Sequence, residues 1–152
     1  MTIPADPDQL QLLEAHIDRW ITAERSANPV VADVARNVDG RRSWFVRLTG
    51  VERDSFTVRF HLEQRTLHYE TYFMPAPEEN EAELFRHLLV RNHRLYGATF
   101  AIGDEDAVYL VGQLPNEQIN DVELDRILGS MYQWVEQFFR PAMRIGFASK
   151  FG

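Results

Sequence analysis

The chemically versatile side chains that cluster most densely in this 152-residue chain are histidines, carboxylates and arginines. The chain contains no cysteine, and so no thiolate nucleophile, disulfide or zinc ribbon. Two stretches concentrate the remaining groups. The first, RHLLVRNHRLYG at 86–97, places His87 and His93 among Arg86, Arg91 and Arg94. On a helix, the spacing turns one histidine about 120° away from the other, so the two cannot share a metal. The arginines mostly avoid the apolar stripe and suit the C-terminal end of a helix dipole, and the segment reads as a solvated helix face. The second stretch, HLEQRTLHYE at 61–70, is the better metal candidate. In a hairpin turning at Gln64 and Arg65, His61 faces His68, with Glu63 and Glu70 on the same side, a possible His-His-Glu set. Arg59 opposite Glu70 gives that carboxylate a structural partner. An ordinary polar sheet face is therefore the reading adopted, with no metal, no cofactor and no catalytic residue assigned.

Other catalytic patterns are missing. The chain has no glycine-rich phosphate loop, no G-x-S-x-G elbow and no H-E-x-x-H, and its GDED turn lacks the spacing of a calcium loop. The acidic run Glu78, Glu79, Glu81 and Glu83 sits where a helix N-terminus favours negative charge, which makes dipole compensation the simpler account.

The elements that would carry these residues can be read in order. Asp6, Pro7 and Gln9 form a capping box with proline at the first helical position, and Leu10, Leu13, Ile17, Trp20 and Ile21 recur at helical spacing, predicting a helix over about 7–27. Asn28–Pro29 repeats the start signal, with Val30, Val31, Val34 and Val38 on one side and Gly40 as the stop. This predicts a short helix over 29–38, with a strand as the alternative. From Arg42 the period changes to two through Trp44–Leu48, Phe56–Leu62 and Leu67–Phe73, a three-stranded antiparallel meander. Its core face pairs Leu62 with Leu67, Phe60 with Tyr69, Val58 with Thr71 and Phe56 with Phe73. The turn is either a two-residue loop or a four-residue loop in the same register. Asn80 with Glu83 predicts a second capping box before a helix ending at Gly97. ATFAI and AVYLVGQL predict a hairpin of central strands, apolar on both faces. Asn120 with Glu123 opens a last helix, expected to stop at about Phe139 before Pro141.

Length and a 45% apolar composition fit a single domain over 1–152. The N-terminus has neither a basic n-region nor an apolar h-region, and no long apolar run follows, so the expectation is a cytoplasmic protein. The net charge of -7 opposes nucleic-acid and anionic-membrane partners. The charge is uneven. Residues 140–152 carry Arg140, Arg144 and Lys150 without an acid, a basic C-terminal tail on an acidic body. The last helix is apolar over more than the usual stripe, and the tail adds aromatics. Trp134, Phe138, Phe139, Arg140, Arg144, Phe147 and Phe151 are therefore the candidate partner-binding residues, with folding back on the same monomer as the alternative.

Three stretches also carry a resemblance: RTLHYETYFMPAPEEN, RNHRLYGATFAIGDEDAVYLVGQLP and LDRILGSMYQWVEQFFRPAMRIGFASKFG. Over about 42–152 the chain resembles actinobacterial members of the YbjN-domain family, described as bacterial sensory transduction regulators. That family's fold is similar to type III secretion chaperones. The resemblance implies an α+β domain in the order helix, three strands, helix, two strands, helix, to which the present reading adds the short helix at 29–38. It also implies a cofactor-free, often dimeric protein that binds other polypeptides, a second copy of itself among them, and it transfers no catalytic residues. The expectation is a non-enzymatic protein-binding or regulatory module, with a small-ligand sensor or a small metalloenzyme as alternatives.

Overall fold

The computed structural model describes residues 3–37 and 41–151. Helix α1 spans Pro7–Ala27. Its start is the capping box read from the sequence: the Gln9 N–H donates to Asp6 at 2.8 Å, and the Asp6 N–H donates to the Gln9 side chain at 2.9 Å. Leu10, Ile17, Trp20 and Ile21 form its buried stripe.

The segment after α1 is a strand, not the predicted short helix: β1 spans Val31–Arg36. Valines at 30, 31 and 34 fit either period, but branching at Cβ favours an extended chain, and pairing here covers the otherwise open edge of the next strand. A bulge between Val31 and Asp33 breaks the strict alternation that would have marked β1 as a strand. Val38, the last of those valines, and the proposed stop at Gly40 lie outside the described residues. Strands β2 (Ser43–Thr49), β3 (Ser55–Leu62) and β4 (Thr66–Met74) follow as the meander. The β3–β4 register is the expected one, running from Leu62–Leu67 through His61–His68, Phe60–Tyr69 and Arg59–Glu70 to Val58–Thr71. The ladder stops there, so the anticipated Phe56–Phe73 pair is not formed across it, although both rings are buried.

Helix α2 spans Glu81–Asn92, strand β5 Thr99–Ile102, strand β6 Val108–Pro115 and helix α3 Asp121–Gly146, followed by a short helix α4 at Ala148–Phe151. Meander and hairpin join through β4 and β6 into one antiparallel sheet, ordered β1-β2-β3-β4-β6-β5. Its inner face carries Trp44, Val46, Leu48, Val58, Phe60, Leu67 and Leu110, each with no exposed surface, under the helices. Trp20 of α1 meets Phe60 edge-on at 5.6 Å, and Phe139 and Phe138 of α3 meet Phe73 and Phe100 at 6.0 and 6.1 Å. The other face bears Arg47, Arg59, His61, His68, Glu70 and Tyr72, half-buried or exposed.

Four local expectations change. Strand β5 is an edge strand with Ile102 56% exposed, so the hairpin is not buried on both sides. Asn80 adopts a left-handed backbone, φ 52°, and makes no side-chain cap. Its amide instead donates to the Ile145 carbonyl of α3 at 2.9 Å. Helix α2 ends at Asn92, five residues before Gly97, because the Asn92 side chain accepts from the Phe100 N–H at 2.7 Å and donates to the Phe100 carbonyl at 3.1 Å, fixing the turn into β5. Asn120 caps α3, but Glu123 pairs with Arg126 at 2.7 Å, so the box is half formed.

The largest correction concerns Pro141. Helix α3 runs through it to Gly146, and the supposed basic tail is the last turns of that helix plus α4. A proline frees the carbonyl four residues back, here that of Gln137, and both residues are exposed, so water can satisfy it. The apolar stripe Val135, Phe138, Ala142 and Gly146 continues across the proline and buries itself. Tertiary packing therefore outweighs the local break.

Two indole N–H groups in this core are satisfied by helix carboxylates. Trp44 donates to Asp18 of α1 at 2.7 Å, and Trp20 donates to Asp125 of α3 at 2.8 Å. Asp18 also holds Arg36 of β1 at 2.7 Å, tying α1 to both of the first two strands.

Candidate polypeptide-binding groove

The seven residues of the α3 surface divide. Phe138 and Phe147 are core residues, 9% and 5% exposed, and Trp134 is half-buried against the core. Phe139, Arg140, Arg144 and Phe151 are brought together on a groove of about 590 Å³ between the last turns of α3, α4 and the β2–β3 loop.

That loop is held by α3. The Glu136 carboxylate accepts from the Val51 N–H at 3.0 Å and the Glu52 N–H at 2.7 Å. One turn later, Arg140 pairs with the Glu52 carboxylate at 2.9 Å and donates to its carbonyl at 3.2 Å. Gly50 permits this approach, since a Cβ there would lie 1.6 Å from Glu136 Oε1.

The loop delivers a residue that sequence reasoning missed. Arg53 turns inward and donates through one nitrogen, Nη1, to the carbonyls of Tyr72 and Phe73, each at 2.8 Å. These carbonyls lie just beyond the last β3–β4 pair, so the guanidinium supplies donors where the strand partner has ended. Its carbon lies 4.7 Å from the Phe139 ring centre, within cation–π range. Arg53 forms no ion pair with a carboxylate among the described residues, and burial pulls its pKa below the usual arginine value. A lone arginine in a turn, VERDS, carries no signal of this environment, which long-range packing creates.

A second groove, of about 290 Å³, lies between α2 and the open edge of β5. Phe85, Leu88, Leu89, Phe100 and Ile102 line it, and Leu89 is 65% exposed.

The histidines are placed as the geometry of each element dictates. His61 and His68 face each other across β3 and β4, and Glu63 lies between them at 3.6 and 3.3 Å. Each ring also bonds a hydroxyl, Ser43 for His61 and Thr66 for His68. Glu70 turns to Arg59 at 3.4 Å. Among the described residues, no group of three histidine, aspartate or glutamate side chains is placed to hold a metal. On α2, His87 Nε2 is buried without a hydrogen-bond partner.

Burial, reinforced by Arg59 for His61 and by Arg91 for His87, holds both imidazoles below their ordinary pKa. The unfolded chain therefore takes up protons first as pH falls below about 6.5. The stability tied to the neutral rings is complete above that value and is lost as pH drops through the lowered native pKa values. Urea titrations at a series of pH values should show falling midpoints in that window, flattened in a His61→Gln, His87→Gln double variant. An unchanged slope in the double variant would assign the acid sensitivity to other groups.

No helix among the described residues is long and apolar enough to cross a membrane. In fold, this antiparallel sheet under its helices is similar to type III secretion chaperones of known structure. A chain of the HopA1–SchA chaperone–effector complex matches with a TM-score of 0.58 at 13% identity, over 88% of this chain and 97% of that one. The ExoU–SpcU complex of the type III secretion system of Pseudomonas aeruginosa matches at 0.55 and 12%, over 83% and 96%. The chain belongs to the YbjN family, described as "Putative bacterial sensory transduction regulator", which matches residues 15–142. An uncharacterized protein of Mycobacterium bovis is 30% identical over 104 residues, 68% of this chain and 57% of that relative, so the match spans little more than half of the relative's length.

Proposed function

We propose that this chain is a non-enzymatic, cytoplasmic module that binds an extended segment of another polypeptide, in the manner of a chaperone or regulatory adaptor. The observation that carries the reading is the groove at the end of α3, where an aromatic floor and arginines stand open beside a loop clamped in place by Glu136 and Arg140. A preformed, partly apolar groove with a few placed polar groups suits an ordered segment of chain. The fold likeness to proteins solved as chaperone–effector complexes supports the same class of partner.

A second copy is the proposed partner at the other groove. β5 has one unpaired side, and a two-fold axis perpendicular to the sheet beside it would pair β5 antiparallel with its copy while covering Leu89, Val90 and Ile102. The test uses the full chain on an array of immobilised, overlapping peptides drawn from unstructured protein segments, together with sedimentation velocity. Retention of a subset of peptides is expected, with amide exchange slowed at 52–55 and 139–151, and Leu89→Lys should lower the sedimenting mass without loss of peptide binding. An array on which no peptide is retained would remove the polypeptide-binding reading.

A further inference from the structure

Arg53 has five N–H donors, and the two backbone carbonyls occupy only Nη1. Neither Nε nor Nη2 has a hydrogen-bond partner among the described residues, although Arg53 lines the groove. Those two nitrogens form the edge of a guanidinium that grips a carboxylate in two parallel bonds. Arg144, also lining the groove, forms no ion pair among the described residues. Arg140 is committed to Glu52. The groove thus holds three arginines against Glu52 and Asp54, a local charge of 3 - 2 = +1 on a chain of net charge -7. Beside the cations lie Phe139, Met143 and Phe151, the last 52% exposed.

Resting on the polypeptide-binding reading, we infer that this groove selects an acidic segment of the partner, Arg53 and Arg144 taking a side-chain carboxylate and Phe139, Met143 and Phe151 the apolar residue beside it. A carboxylate completes the hydrogen bonding of a half-buried cation that has no counterion among the described residues, and the aromatic floor adds contact that a bare anion cannot use. Asp54, at the rim and exposed, opposes the same ligand and tunes its affinity downward.

The test is fluorescence anisotropy of the full chain with a short fluorescein-labelled peptide of alternating glutamate and leucine, its glutamine counterpart, and inorganic phosphate as competitor. The glutamate peptide is expected to bind about ten-fold or more tighter than the glutamine one, as charge-assisted hydrogen bonds would give. Arg144→Glu, at an unpaired position, should erase that preference without altering the thermal transition, and Asp54→Asn should strengthen it, which a merely structural role for the loop would not do. Equal affinity for the two peptides, indifference to Arg144→Glu, or displacement by phosphate at concentrations matching the peptide would each overturn the inference. If the peptides bind equally in wild type and Arg144→Glu, binding occurs elsewhere and the polypeptide-binding reading survives. An array retaining no peptide removes that reading first.

Discussion

Ending the chain after Pro141 is expected to unfold the protein, not to release a trimmed domain. The lost segment includes Ala142 and Phe147, both buried, and Gly146, whose missing side chain lets the helix close on Met74, Pro77 and Leu84. Its carbonyl accepts the N–H groups of Glu78 and Glu79, each at 3.0 Å, and the Ile145 carbonyl accepts Asn80, so the segment also fixes the entry to α2. Each large side chain that loses its burial, whether removed or uncovered, costs roughly 1.5–3 kcal/mol. Phe147, Met74 and Leu84 together approach the whole stability of a typical domain, about 5–15 kcal/mol. Thermal unfolding followed by circular dichroism should show a lost or strongly lowered transition. A truncated chain that melts cooperatively within about 5 °C of the full one, a shift worth only one or two kcal/mol in a domain of this size, would mean the last turns are an appendage after all.

Phe60→Asp is expected to be as severe. Phe60 has no exposed surface, sits in the middle of β3 and packs between Trp20 of α1 and Tyr69 of β4. Removing such a ring costs about 3–5 kcal/mol, and a carboxylate put in its place has no cation or donor to meet it. The neighbouring Arg59→Gln makes the contrast. Arg59 lies on the opposite face, partly exposed, with Glu70 at 3.4 Å, and its loss should cost less than about 1 kcal/mol. Urea midpoints for the two variants should separate widely. Similar midpoints would mean that the two faces of β3 have been exchanged.

Local rules succeed in this molecule where sequence neighbours supply the decisive partners. The capping box of α1 closes between residues three apart, and the β3–β4 register follows from alternation on both sides of one turn. They fail where the partner is distant. The valines of β1 fit two periods, and the free edge of β2 decides between them. Pro141 is a stop signal that Met74 and Leu84, more than fifty residues earlier, override by packing against the turn beyond it. Asn80 forgoes its own helix to reach Ile145. Of the partner surface, the aromatic and basic character of 134–151 is legible, whereas the division into core and groove is not, because helical periodicity does not say which elements will arrive on each side. Arg53 is invisible for the same reason: its acceptors come from β4 and its aromatic neighbour from α3.

The closing role of α3 bears on how the protein is made. Phe73, Phe100 and Leu84 are covered by a helix that leaves the ribosome after every strand of the sheet. Until residues 121–146 have emerged, the part of the apolar face around Phe73 and Phe100 lacks its cover, exposed apolar surface of the kind that makes folding intermediates aggregate. Folding of this chain is therefore completed after synthesis of its core strands and not alongside it. The interval in which the chain itself needs protection is set by the time taken to translate its last helix.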